Sequence, residues 1–303
     1  MREPGHLRAL LGDDDGWDVP LRFFGAVHHL VLSRSAPDAL SGRWDDFVRA
    51  LDEHEEAIRE RLATHGVQTN EVQRCTALMP AFLAAAAETR LPLELLELGP
   101  SAGLNLLADL YRYRYANGSF GPENARVVLA TQELDGRVPA ELLAEPIVVR
   151  RRRGIDLAPV DATTPGGYLL LRSFLWPGLE ERVGRLDAAV ETLRALPERP
   201  ELIRGDYLRV LPEVLSSRPG DALTVVVDTF STPYVPVAAA AELASTLDRA
   251  GWDGRPLAWL SVRRWETGGR HDGRFELELR VWPGPPRLTA YVDPHGNWLD
   301  WRL

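Results

Sequence analysis

Leu93-Glu94-Leu95-Leu96-Glu97-Leu98-Gly99-Pro100-Ser101-Ala102-Gly103-Leu104-Asn105 decides how the rest of this chain is read. Leu93 to Leu98 is an apolar run of strand length. Small residues follow, and then Leu104, Leu107 and Leu110 recur at helical spacing over Gly103–Tyr115. A strand, a tight turn and a helix start bring backbone N–H groups to an open helix N-terminus, where a ligand is readily held. Gly99 and Gly103 allow positive φ and close approach to the backbone. Glu97, at the strand's end, can accept hydrogen bonds from a cationic or hydroxylated ligand. Two chemistries use such a turn: a nucleotide-type site with the pattern Glu97-x-Gly99-x-Ser101-x-Gly103, and a nucleophile elbow, G-x-S-x-G, exposing Ser101. A strand–helix turn with no ligand is the plain alternative.

The 303 residues carry a net charge of −9 and 45% hydrophobic residues, which is ordinary for a globular chain. The acidic balance argues against nucleic acid as a partner, because such binding needs a basic footprint. The basic run Arg150 to Arg153 adjoins a strand pattern and reads as alternately solvated. One cysteine, Cys75, excludes an internal disulfide and a cysteine-based metal cluster, and no metal site is expected. No signal-like N-terminus appears, and no apolar run approaches the roughly 20 residues that span a bilayer. A cytoplasmic protein acting on a small molecule is expected.

Residues 1–92 read as a helical cap. Phe23, Phe24, Val27 and Leu30, then Trp44, Phe47 and Leu51, then Leu78, Phe82 and Ala86 form stripes at helical spacing. His28 and His29 are neighbours on one helix, point in different directions, and so cannot chelate one metal. In Gln68-Thr69-Asn70-Glu71-Val72-Gln73-Arg74, Asn70 and Gln73 fit a capping box. The same polar residues could instead project over the central turn.

From 93 to 303 strands alternate with helices, around an insertion near 116–146. Apolar runs beginning at Ile147, Leu202, Leu223 and Leu257 follow the first strand. Helical crossovers make these a mainly parallel, doubly wound, Rossmann-like α/β sheet. Phe275 to Val281, Leu288 to Val292 and Trp298 to Leu303, joined by Pro/Gly turns, read as antiparallel strands added at one edge.

In such sheets, ligands lie outside the carboxyl ends of the strands. Those ends supply Glu97, Asp156, Asp206 and Asp228. Asp156 and Asp206 could equally cap a turn or a helix. Together the acids fit a clamp for ribose hydroxyls and an exocyclic amine.

These motifs, with Gly154-Ile155-Asp156-Leu157-Ala158-Pro159, Gly205-Asp206-Tyr207 and Val225-Val226-Val227-Asp228, resemble the ordered motif set of class I S-adenosylmethionine-dependent methyltransferases over about residues 93–292. The resemblance implies a glycine turn bordering the methionine part of the cofactor, Asp156 at the ribose and Asp206 at the adenine. The implied cofactor set is Glu97, Gly99, Ser101, Gly103, Asn105, Asp156, Asp206 and Tyr207. Asp228-Thr229-Phe230-Ser231 lacks the Asn-Pro-Pro-Tyr sequence of amino-group methylators, which disfavours N-methylation of a nucleobase. Over nearly its whole length the chain also resembles an uncharacterised bacterial family, domain-of-unknown-function family 2332. That likeness is carried by Gln68-Thr69-Asn70-Glu71-Val72-x-Arg74, the Leu96–Leu106 turn, Arg153-Gly154-Ile155-Asp156, Trp176-Pro177 and His295-Gly296-x-Trp298. No reaction comes with it.

The expected activity is methyl transfer from S-adenosylmethionine to a small molecule. Glu71, Asp228 and His295 are candidate general bases, and Asn70, Arg74, Trp176 and Tyr234 line the acceptor pocket. Two rivals stand beside it. A ligand binder could have kept the fold without the reaction. A serine hydrolase would use Ser101, Asp228 and His295, which follow the chain order nucleophile, acid, histidine.

Overall fold

The computed structural model describes Leu10 and residues 16–229, 236–267 and 270–303, the side chains of 264–267 and 270–273 excepted. In chain order the helices are α1 (Val19–Leu32), α2 (Trp44–Glu53), α3 (Glu55–Thr64), α4 (Cys75–Thr89), α5 (Ala140–Leu143), α6 (Pro165–Ser173), α7 (Glu180–Ala195), α8 (Tyr207–Ser216) and α9 (Val237–Gly251). The strands are β1 (Leu93–Leu98), β2 (Arg112–Tyr115), β3 (Gly118–Phe120), β4 (Val128–Ala130), β5 (Gln132–Glu133), β6 (Val149–Asp156), β7 (Glu201–Arg204), β8 (Leu223–Asp228), β9 (Leu257–Thr267), β10 (Arg270–Val281), β11 (Arg287–Val292) and β12 (Trp298–Trp301). Two compact units form: residues 1–69 with 161–186, and residues 70–160 with 187–303. The division therefore differs from the expected one at residue 92. Helix α4 belongs to the sheet unit, and the later segment carrying α6 joins the helical one.

The helical unit closes around the apolar stripe of α1. Phe23, Val27 and Leu30 pack with Leu51 of α2 and Ile58 of α3. Gly25 leaves room for Phe174, whose ring would lie 2.8 Å from a Cβ there. His28 is a core histidine, its Nδ1 3.1 Å from the Ser173 carbonyl.

Among the described residues, the main sheet of the sheet unit has nine strands in the order β5-β12-β11-β10-β9-β8-β1-β6-β7. Strands β7, β6, β1, β8 and β9 are parallel. The chain starts at β1, steps outward through β6 and β7, and returns to the other edge of β1 with β8. The strand order thus reverses at β1, where an open α/β sheet leaves a crevice at its carboxyl edge. Strand β9 runs directly into β10, and β10, β11 and β12 are antiparallel. Leu96, Leu98, Ile155 and Val226 face α8 and α9, packing on Leu211, Val214, Leu243 and Leu247. Burial on both faces is why β8 carries six buried residues and no alternation.

The chain after Gly103 corrects the sequence reading. An α-helix over Gly103–Tyr115 was expected, but Leu104–Leu110 is a 3-10 helix and Arg112–Tyr115 is a strand. Two local patterns account for this. Leu104, Leu107 and Leu110 are spaced by three, the period of a 3-10 helix rather than of an α-helix. Tyr111, Tyr113 and Tyr115 alternate at the strand period, and all three are buried. Tyr111 Oη donates to the Leu104 carbonyl (2.6 Å) and Tyr113 Oη to that of Ala108 (2.7 Å), so the strand satisfies carbonyls of the turn before it. Strand β2 then forms a separate three-stranded sheet with β3 and β4.

The arginine run is solvated only in part: Arg150 and Arg151 are exposed, Arg152 is half-buried and Arg153 is buried. Arg150 pairs with Asp221 (2.9 Å), Arg151 with Glu201 (2.8 Å), Arg152 with Asp109 (2.6 Å) and buried Arg153 with Glu94 (3.4 Å). These pairs fix β6 to its surroundings and leave no block of uncompensated positive charge.

Gly154 of β6 sits opposite Glu97 in register, and a Cβ there would lie 2.4 Å from Pro100 Cγ. Gly154→Ala should destabilise the protein by about 1–3 kcal/mol through overpacking. Adding Pro100→Ala should recover part of the loss. Equilibrium denaturation of both variants tests this, and a single variant as stable as the parent would refute the packing account.

Candidate functional site

The carboxyl edge around β1 gathers most of the residues singled out from sequence. Gly99, Ser101 and Gly103 all have positive φ, at 72°, 55° and 72°. Ser101 carries a Cβ in a left-handed conformation, which costs about 1–2 kcal/mol. Asp156 compensates. Its Oδ2 accepts the Ser101 N–H (2.8 Å), and its Oδ1 accepts the Ala158 N–H (2.8 Å). The Ser101 carbonyl in turn accepts the Val160 N–H (3.0 Å), and the Gly99 N–H donates to the Ile155 carbonyl (2.9 Å). The glycine turn is therefore stitched to the end of β6 at three points. Asn70 adds a fourth tie, its Oδ1 accepting the Leu104 N–H (3.0 Å).

Glu97 points to the opposite face from Leu96 and Leu98, and is 2% exposed. Its Oε1 accepts from Asn105 Nδ2 (3.2 Å) and from Thr229 Oγ1 (3.3 Å), while its Oε2 is buried with no partner. Cys75 Sγ donates to Asn105 Oδ1 (3.5 Å) and completes a buried polar chain across α4, the 3-10 turn, β1 and the residue after β8. Burial pushes the Glu97 carboxyl up to about 7; the bonds from Asn105 and Thr229 and the charge of Arg74 pull the other way, and Asp156 adds to the rise. Burial likewise pushes the Cys75 thiol well up, so it is an inert core thiol.

Asp206 follows β7, beside Asp156, whose carbonyl accepts the Gly205 N–H (2.9 Å). It caps α8, accepting the Leu208 N–H at Oδ1 (2.9 Å), and it is exposed. Tyr207 is the first residue of that helix. Asp228 ends β8 fully buried, in register with Leu98 on one side and Ser261 on the other. Glu97, Asp156, Asp206 and Asp228 thus stand at the ends of four adjacent strands, in the spatial order β8, β1, β6, β7.

The remaining candidates are placed elsewhere or serve the scaffold. Glu71 caps the 3-10 turn Val72–Arg74, accepting the Gln73 N–H (3.1 Å). Arg74 Nε donates to the Pro294 carbonyl (2.8 Å). The Gly296 carbonyl accepts from Thr131 Oγ1 (3.0 Å), Gln73 Nε2 (3.3 Å) and Thr76 Oγ1 (3.3 Å). His295 is exposed in that turn. Gln73, Arg74 and Thr76 and the His295-Gly296 turn are therefore two halves of one clamp; Gln73 was read from sequence only as a capping residue, and Thr76 was not singled out. Trp176 belongs to the helical unit, its ring edge-on to Phe24 at 6.4 Å. Tyr234 lies outside the described residues. Among the described residues, no group of three histidine, cysteine or carboxylate side chains could hold a metal, and no helix is long and apolar enough to cross a membrane.

A family model matches residues 6–301, nearly the whole chain. This chain belongs to the DUF2332 family, described as an uncharacterized protein conserved in bacteria. No curated protein matches it. The family contributes no reaction, so chemistry has to be argued from the carboxyl edge itself.

Glu97 provides a test of that edge. Its carboxyl is protonated more readily folded, at about 7, than at its ordinary value of 4.5. Its contribution to stability is therefore full below pH 4.5 and is lost as pH rises through 7, by on the order of 3 kcal/mol. Glu97→Gln keeps the shape and removes the titration. It should match the parent in urea denaturation near pH 4 and exceed its stability near pH 8. A constant difference across that range would show that Glu97 does not titrate as its burial requires.

Proposed function

We propose that this protein is an S-adenosylmethionine-dependent methyltransferase acting on a small molecule, with the cofactor at the carboxyl edge of β1, β6 and β7. The observation that carries the reading is the reversal of strand order at β1 with Glu97, Asp156 and Asp206 on successive strand ends. A carboxylate offers about four acceptor positions. Asp156 uses one on each oxygen for backbone N–H groups, which orients it and leaves lone pairs for two ribose hydroxyls. Asp206 keeps an exposed oxygen one strand further out, suited to an exocyclic amine. Gly99, Ser101 and Gly103 present backbone rather than side chain to a ligand, and Gly103 has Leu202 Cδ2 3.1 Å from where its Cβ would be. Glu97 and Asn105 are buried beneath this turn and support it from below.

When bound, S-adenosylmethionine supplies an electrophilic methyl group, and its transfer depends chiefly on aligning the acceptor. For a hydroxyl acceptor the candidate general base at this edge is Asp228, which ends β8 and is fully buried. Glu71 and His295 carry scaffold bonds instead, and that favours a second reading in which the edge binds an adenosyl ligand without transferring a group.

Equilibrium dialysis with S-adenosylmethionine should give saturable binding, weakened about tenfold or more by Asp156→Ala. Accumulation of S-adenosylhomocysteine in extract identifies the transferase. Binding without turnover selects the second reading. An unchanged affinity in Asp156→Ala removes the ribose assignment, and absence of binding at about 1 mM overturns both readings.

A further inference from the structure

Away from that edge, α9 leans on β9 and β10 and leaves an open cleft of about 230 Å³. Its walls have an unusual charge pattern. Arg263 Nε pairs with Glu278 (2.8 Å), and Arg280 Nη1 pairs with Asp248 (3.0 Å). Two cations and two anions alternate along the wall, each paired with a neighbour of opposite charge. An ionic ligand would have to break one of these pairs to gain its own partner. A hydroxyl group has no such requirement, because it both donates and accepts. A guanidinium has five N–H donors and a carboxylate about four acceptor positions, so a pair leaves most of them open. Ser245 of α9 and Ser261 of β9 add two more hydroxyls to the wall. Trp259 completes it. Its ring is half-buried with the Arg263 guanidinium 5.7 Å over the ring centroid, and its indole nitrogen is buried with no partner among the described residues.

We propose that the cleft between α9 and the β9–β10 hairpin is a second binding site, for a neutral polyhydroxylated molecule of monosaccharide size. The matched pairs Arg263–Glu278 and Arg280–Asp248 receive the hydroxyls without separating, and Trp259 packs against the carbon face. The site lies on the α9 face of the sheet, the opposite face from Glu97, and stands whether or not the carboxyl edge binds a cofactor.

The test is a titration of the full-length, nitrogen-15-labelled protein, following the Trp259 indole N–H signal, identified by its loss in Trp259→Phe. Methyl glucoside and myo-inositol are the hydroxylated probes, and acetate, glycine and tetramethylammonium the ionic ones. At least one hydroxylated probe should shift the signal saturably, with a dissociation constant on the order of 1–10 mM. Ser245→Trp, on the exposed face of α9, should fill the cleft and abolish the shift while the other indole signals stay in place. Arg263→Ala, also at an exposed position, should weaken binding about threefold or more. No shift at about 100 mM probe, a shift with the ionic probes alone, or a shift that survives Ser245→Trp overturns the proposal.

Discussion

The Asp156 carboxylate holds the carboxyl edge of the sheet together. It reaches from the end of β6 to the Ser101 N–H in the turn after β1, and with its other oxygen it closes its own Ala158 turn. A charge-assisted bond of this kind contributes about 1.5–3 kcal/mol, enough to offset a left-handed serine. Pro100 packing on Gly154 makes the same join from the apolar side. The glycine turn is thus shaped by contacts to the neighbouring strand, with only a 3-10 helix following it. A loop held this way presents its backbone to the edge without support from a helix macrodipole.

The buried polar chain beneath it is a separate constraint. Cys75, Asn105, Glu97 and Thr229 come from four different segments, and each bond is neutral or nearly so while Glu97 is protonated. Burial disfavours the charged form, and the neighbouring Asp156 disfavours it further. The two carboxyls stand on adjacent strands in contrasting settings: one sealed, the other half-exposed and bonded to N–H groups. Environments that split two acids in this way assign them different roles. Here the inner acid is sealed into the packing beneath the turn, and the outer one ties the turn to the end of β6.

Much of the architecture was legible because period and burial agree. The apolar run Leu223–Val227 can only be a strand covered on both faces, and Phe275 to Val281 alternates as an edge-ward antiparallel strand does. The β1–turn–β6 join was visible in the pairing of Gly99–Gly103 with Gly154-Ile155-Asp156. What misled was the segment after Gly103. Its leucines are three apart, which a 3.6-residue stripe tolerates, and the tyrosine alternation that marks β2 starts inside the expected helix. The pairing of the arginine run was hidden for a different reason. Its partners Asp109, Glu201 and Asp221 lie far away in sequence, and only the fold brings them together. The same holds for Thr229 and Gln73, whose roles depend on contacts that no local pattern encodes.

The Gln68–Arg74 and His295-Gly296 motifs have structural contacts of their own. Glu71, Arg74 and His295 have the side chains that catalysis uses, yet Glu71 caps a turn, Arg74 holds a carbonyl and His295 is exposed. What fixes the clamp is the Gly296 carbonyl with its three donors, and a glycine whose Cβ would fall 2.3 Å from the Gln73 carbonyl oxygen. That clamp ties the turn between β11 and β12, at the far antiparallel side of the sheet, to the start of α4, and Asn70, two residues before the turn Val72–Arg74, bonds the backbone at Leu104. One short segment thus carries bonds both to the Gly296 turn and to the turn beneath which Glu97 is sealed. The motifs at the two ends of the chain act on the same edge, one by bonding it directly and the other by fixing the segment that does.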